Sequence, residues 1–140
     1  MFNLYAGLGY RLKQDKSSDE YSYPRKSQYF YIPIGVKIPT ELNLVTVTPY
    51  IEYDVLVKGR QTSDLRKLNI SKMNHKQKHG FGIKSGAGFK YDQFEITPYV
   101  HYWNIKKSEA TIVSSEDKAV MFFEPKNTTS EIGIKVTFVF

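Results

Sequence analysis

Apolar and polar side chains alternate with period two in six stretches of this chain, and each stretch sorts into one greasy row and one polar row. That periodicity predicts β-strands, since successive side chains on a strand point to opposite faces. In residues 2–13 the row Phe2, Leu4, Ala6, Leu8, Tyr10, Leu12 opposes Asn3, Tyr5, Gly7, Gly9, Arg11, Lys13. In 28–38, Phe30, Ile32, Ile34, Val36 and Ile38 oppose Tyr29, Tyr31, Pro33, Gly35 and Lys37. In 42–58, the row from Val45 to Val57 opposes Thr46, Thr48, Tyr50, Glu52, Asp54 and Lys58. Strands over 80–91, 94–105 and 129–140 follow the same rule, the last with Ile132, Ile134, Val136, Phe138 and Phe140 on one face.

The connections alternate in length. Polar segments at 14–27, 59–79 and 106–127 read as long loops, with a short helical turn expected within Thr62 to Leu68. Pro39-Thr40-Glu41 and Asp92-Gln93 read as tight turns. In an antiparallel meander this order gathers the long loops at one end. The segments Thr48-Pro-Tyr-Ile-Glu-Tyr53 and Thr97-Pro-Tyr-Val-His-Tyr102 echo one another at a spacing of 49. Each carries a mid-strand proline, which lacks an amide for the ladder, so bulges are expected near Pro49 and Pro98.

The polar rows contain Arg11, Lys37, Lys84 and Lys135 beside Glu52, Asp54, Glu95 and Glu131. Four cations and four anions are what a packed polar interior needs, because an unpaired buried charge costs several kcal/mol. These eight are the expected inward charge network, with the greasy rows turned outward. Tyr31, Tyr50, Tyr99 and Trp103 would obstruct that interior, and an open pore is not expected. Tyr5, Tyr10, Tyr29, Tyr53, Tyr91, Tyr102 and Trp103 fall near strand ends, a distribution expected of interfacial belts.

Composition narrows the chemistry. There is no cysteine, so disulfides, thiolate metal sites and a cysteine nucleophile are excluded. The net charge of +6 and the basic run Arg60, Arg66, Lys67, Lys72, Lys76, Lys78 raise nucleic acid as a partner. No recognition motif accompanies them, and a solvated loop is the expected role. No apolar run approaches the roughly 20 residues of a helical membrane span, and no secretion signal is expected in the opening residues. His101 shares a face with Glu95, Tyr99 and Trp103, while Ser85 sits on the opposite row and cannot join it in a triad. His75 and His79 lack companion ligands at metal spacing. No enzymatic activity, cofactor or metal is therefore expected.

On Leu4-Tyr-Ala-Gly-Leu-Gly-Tyr10, Ile32-Pro-Ile-Gly-Val36, Thr97-Pro-Tyr-Val-His-Tyr102 and Val136-Thr-Phe-Val-Phe140, the chain resembles small outer-membrane β-barrel proteins of Gram-negative bacteria, of the OmpA/OmpX-like eight-stranded kind. The resemblance implies an all-β, antiparallel up-and-down transmembrane β-barrel as a single domain over 1–140. Eight strands are expected in the full-length protein against six visible here. The missing pair is expected either in a hairpin ahead of Met1 or within about Ala110 to Phe123. It further implies residence in the bacterial outer membrane amid lipid and lipopolysaccharide. Val136, Phe138 and Phe140 would form an assembly signal for the barrel-assembly machinery. A structural or surface-interaction role follows, with long loops open to an extracellular ligand. The alternatives are a soluble lipocalin-like barrel enclosing an apolar ligand and an outer-membrane lipid-modifying enzyme.

Overall fold

The computed structural model describes residues 1–15, 25–63, 73–108, 111–115, 118–122 and 125–138. Eleven strands run in chain order: β1 (Asn3–Ala6), β2 (Gly9–Asp15), β3 (Arg25–Lys37), β4 (Thr40–Leu42), β5 (Val45–Ser63), β6 (Met73–Gln77), β7 (Gly80–Tyr91), β8 (Phe94–Ile105), β9 (Thr111–Ser115), β10 (Lys118–Phe122) and β11 (Asn127–Phe138). Nine form one antiparallel sheet in the order β1-β3-β5-β7-β8-β11, with β2 beside β3 and with β4 and β6 beside β5. β9 and β10 pair only with each other.

The meander is thus read correctly from alternation, but it does not close. β1 and β2 bond to β3, β11 bonds to β8, and the two outer strands share no ladder. This overturns the expected closed barrel. The two strands found near Ala110 to Phe123 make a hairpin of their own and do not complete the ring. An open edge leaves a row of amides and carbonyls that hydrocarbon cannot satisfy. The transmembrane barrel, its place in the bacterial outer membrane, its lipid and lipopolysaccharide neighbours, and its dependence on barrel-assembly machinery therefore fall together. So do the surface role and the lipid-modifying activity derived from that setting, and the family resemblance does not extend to the architecture. The lipocalin-like alternative fails as well: nothing encloses a ligand, and the apolar rows lie on the outside.

The sheet is open yet strongly curved. Laid flat, β2 and β11 would stand five strand spacings apart, about 24 Å, but the Arg11 guanidinium on β2 meets the Glu131 carboxylate on β11. The rings of Tyr31 on β3 and Trp103 on β8 touch at 5.1 Å. The concave face therefore carries the polar rows. Its apolar core is small, made of Tyr29, Leu56, Trp103 and Ile105 with Tyr31 against them. The convex face carries the greasy rows in the open: Leu4, Leu8, Ile34, Ile51, Val100, Ile132, Ile134 and Val136 are all more than half exposed.

Local differences have physical causes. The tight turn after β3 is Asn43-Leu44, not Pro39-Thr40-Glu41, because Thr40 to Leu42 pair with Val45 to Val47. Asn43 and Asp92 each open a two-residue hairpin at φ 53° and 52°, a left-handed conformation their short polar side chains tolerate. Pairing stays in one register through Pro49 and across Pro98. The bulge lies instead where Phe30 faces Lys58 and Tyr31 faces Leu56. The extra residue there, Val57, flips the parity of β5 beyond Leu56, so Gly59 and Gln61 turn inward and Lys58 turns out. Residues 59–63 and 73–77, within the expected loop, are strands paired as Gly59 to Gln77 and Ser63 to Met73. Thr62 and Ser63 are therefore strand, and residues 64–68 of the expected helical turn lie outside the described residues.

Gly9, Gly35, Gly86 and Gly133 on the concave face lie beneath tyrosine rings of directly opposed residues. Gly9 sits under the Tyr31 ring, which also meets Trp103 in an edge contact. Gly9→Ala should cost about 1–3 kcal/mol through overpacking. Gly7→Ala, whose methyl would rest at 3.7 Å from Pro33, should change stability by less than about 1 kcal/mol; denaturant midpoints of the two variants check the contrast.

Candidate functional site

Residues on the inner rows of β5, β7 and β8 line up because the 49-residue echo flanks β7 on both sides. Tyr50 and Tyr99 both oppose Gly86, and Glu52 and His101 both oppose Lys84. One step along, Asp54 and Trp103 oppose Gly82. The His101 imidazole Nε2 lies 2.7 Å from Asp54 Oδ2, so the bond runs diagonally over Gly82. A methyl group on Gly82 would come within 2.9 Å of that carboxylate oxygen and 3.0 Å of the imidazole. Asp54 and Trp103 are 0% exposed and His101 is 6% exposed. Asp54 Oδ1 and Trp103 Nε1 are buried without a hydrogen-bond partner among the described residues.

The eight charged residues expected to share the interior divide as follows. Arg11 pairs with Glu131, and its guanidinium also lies 5.4 Å from the Trp103 ring and 5.7 Å from that of Tyr29. Lys84 stands 3.9 Å from Glu52 and 4.8 Å over the Tyr99 ring. Asp54 takes His101 in place of a cation of the set. Glu95 accepts from Thr97 Oγ1 at 3.0 Å, and Lys37 lies over the Tyr5 ring at 5.0 Å. Lys135 lines the cavity described next.

The two halves of the concave face differ. Toward the long-connection end it is filled by Trp103, Tyr29, Leu56 and Ile105, with Tyr29 Oη donating to Gln77 Oε1 at 3.3 Å. Toward the short-turn end it opens into a polar cavity of about 180 Å³, bounded by Tyr5, Tyr50, Glu52, Lys84, Glu95 and Lys135 among others. Tyr5 Oη donates to Glu52 Oε2 at 2.8 Å. Burial, then that hydrogen bond to the carboxylate, raises the Tyr5 phenol. Tyr50 is pushed up to about 12 by burial, with the charges of Glu52 and Tyr99 adding to it. Burial and the carboxylates of Asp54 and Glu52 raise Tyr31, against Arg11, which lowers it.

Several expectations need correction here. Trp103 and Tyr29 do not belong to an interfacial belt; they are 0% and 1% exposed and form the inner core. Val136 and Phe138 lie on an outer strand, with Phe138 packed edge-on against Phe94 at 4.8 Å, and Phe140 lies outside the described residues. The open sheet leaves no barrel for them to signal. Among the described residues no three His, Cys, Asp or Glu side chains gather as a metal would require. Asp54 with His101 escapes a sequence reading because the partners stand 47 residues apart; the echo was the available clue, since it places both strands equivalently beside β7.

The second feature is the pair of free strand edges, β1 with β2 on one side and β11 on the other. The outer-row side chains of β11 are 88%, 70% and 68% exposed at Ile132, Ile134 and Val136, against 52% for Val100 on the covered neighbour β8. The difference is the missing lateral neighbour. No protein-family model matches the chain, and no curated protein shows a significant match to it.

Two outcomes check the site. His101→Ala strands a fully buried carboxylate and should cost roughly 3–5 kcal/mol, read as a shift in denaturant midpoint, with Asp54→Asn costing less because it removes the charge. For the phenols, the unfolded chain releases its protons near the ordinary value of about 10, whereas Tyr50 in the fold holds its proton up to about 12. The stabilisation is complete below the unfolded value and is lost as pH rises through the folded one. Phenolate absorbance should therefore rise in a separate late step that coincides with loss of structure; a single step at the ordinary value would contradict the burial.

Proposed function

We propose that this chain is a non-catalytic assembly module that works by strand addition, taking β-strands of a partner polypeptide onto its free edges. The observation that carries this reading is β11, a strand of 12 residues that among the described residues is paired on one side only. From Asn127 to Thr137 its other side offers backbone groups that no described strand pairs, and its outer row extends the exposed apolar face. Main-chain pairing supplies affinity in such recognition, and alternate side chains supply register. A partner strand of matching alternation would cover the apolar flank of Ile132, Ile134 and Val136 while presenting polar groups toward Glu131 and Lys135.

The absence of catalysis is part of the same proposal. The imidazole and carboxylate best suited to proton transfer, His101 and Asp54, are occupied with each other and enclosed beside Trp103. A substrate atom has no approach to them. Their arrangement suits a stiff inner strut that holds the curvature and keeps the two edges presented.

A synthetic peptide copying residues 127–138 serves as the probe strand. Amide exchange of the whole chain should slow at those β11 or β2 amides that point away from their present neighbours. A peptide N-methylated at alternate residues, unable to pair along one side, should give no protection. Binding that protects neither edge, or that survives N-methylation, would refute strand addition.

A further inference from the structure

On the convex side, where β7 begins and β8 ends, two adjoining hollows of about 520 and 310 Å³ share Phe81, Asn104 and Lys106. Both fall in or near the size range of small-molecule sites. Their apolar walls come from Phe81 and Pro125 in the first and from Tyr53 and Val55 in the second. Tyr53 and Phe81 stack at 5.7 Å with their planes 15° apart, which makes a continuous aromatic floor.

The rim has the opposite character. Lys106, Lys107 and Lys126 border the first hollow, and Lys78 joins Lys106 at the second. None of the described lining residues is acidic. The rim is also anchored: Lys106 N donates to His79 O at 2.9 Å, and Gln77 Nε2 donates to Lys106 O at 3.4 Å. An apolar slot ringed by ammonium groups matches one chemical pattern, a hydrocarbon chain ending in an anion. Lys58, Arg60 and Lys76 also stand outward, on β5 and β6, but none of them lines either hollow, so they lack the adjoining apolar slot.

We propose that these hollows bind a free single-chain anionic amphiphile, with the alkyl chain on Phe81, Tyr53 and Pro125 and the carboxylate, sulfate or phosphate head among Lys106, Lys107 and Lys126. The site uses neither strand edge and stands apart from the proposed strand addition. Three exposed charge contacts favour the anionic head by about tenfold.

The test compares dodecyl phosphate with dodecyltrimethylammonium, each below its micelle concentration, on the full chain, with amide NMR shifts as the readout. Dodecyl phosphate should bind about tenfold more tightly and should shift Gly80, Phe81 and Lys106 first. The double variant Lys106→Gln, Lys126→Gln should lose that preference while still binding both amphiphiles on the apolar face, which separates a lost site from a lost fold. Equal affinity for the two head groups, shifts spread evenly over the convex face, or an undiminished preference in the double variant would overturn the proposal. Binding of inorganic phosphate alone with equal strength would do so too, as would binding to phosphatidylglycerol vesicles without binding of the monomeric amphiphile.

Discussion

A single hydrogen bond, from His101 to Asp54 across Gly82, spans three adjacent strands and shows what holds this sheet in its bent form. Side chains on β5 and β8 meet over β7 only if the sheet curves toward them and if the residue between them has no side chain. Gly82 meets the second condition. The first is reinforced by Tyr31 against Trp103 and by Arg11 against Glu131, each joining strands farther apart than the last. Curvature here is the sum of polar and aromatic contacts on one face.

That arrangement inverts the usual source of stability. Burial of apolar surface is ordinarily the dominant favourable term in folding, yet the inner core comprises four hydrophobic residues while the outer rows stand exposed. Ladder hydrogen bonds and the inner polar cluster carry a larger share than usual. Such a cluster is sensitive to the loss of one member, because a partner left behind is a buried unsatisfied group. The exposed face needs a neighbour, since apolar patches beyond a few hundred Å² mark interaction surfaces.

Openness decides what the molecule can do. A ring of the same strands would satisfy every backbone group and present only side chains. The open sheet presents backbone groups along β1, β2 and β11, and the proposed strand addition rests on these edges. Arg11 and Glu131 set how far apart the edges stand without joining their backbones.

The elements were legible because period-two alternation is a local property: each of Phe30 to Ile38, Phe94 to Tyr102 and Ile132 to Phe138 declares a strand with two unlike faces. The charges of the inner rows could be named for the same reason. Their partners could not, since Asp54 meeting His101 depends on the relative register of β5, β7 and β8, and the bulge at Val57 depends on how β3 and β5 fit together. Trp103 near a strand end looked suited to an interface, and only the inward bend of the sheet made it core. Alternation by itself determined that there are strands and which side chains share a face. Whether the first and last strands meet is a relation between residues more than a hundred positions apart; only the tertiary structure decided it, and it left those edges apart.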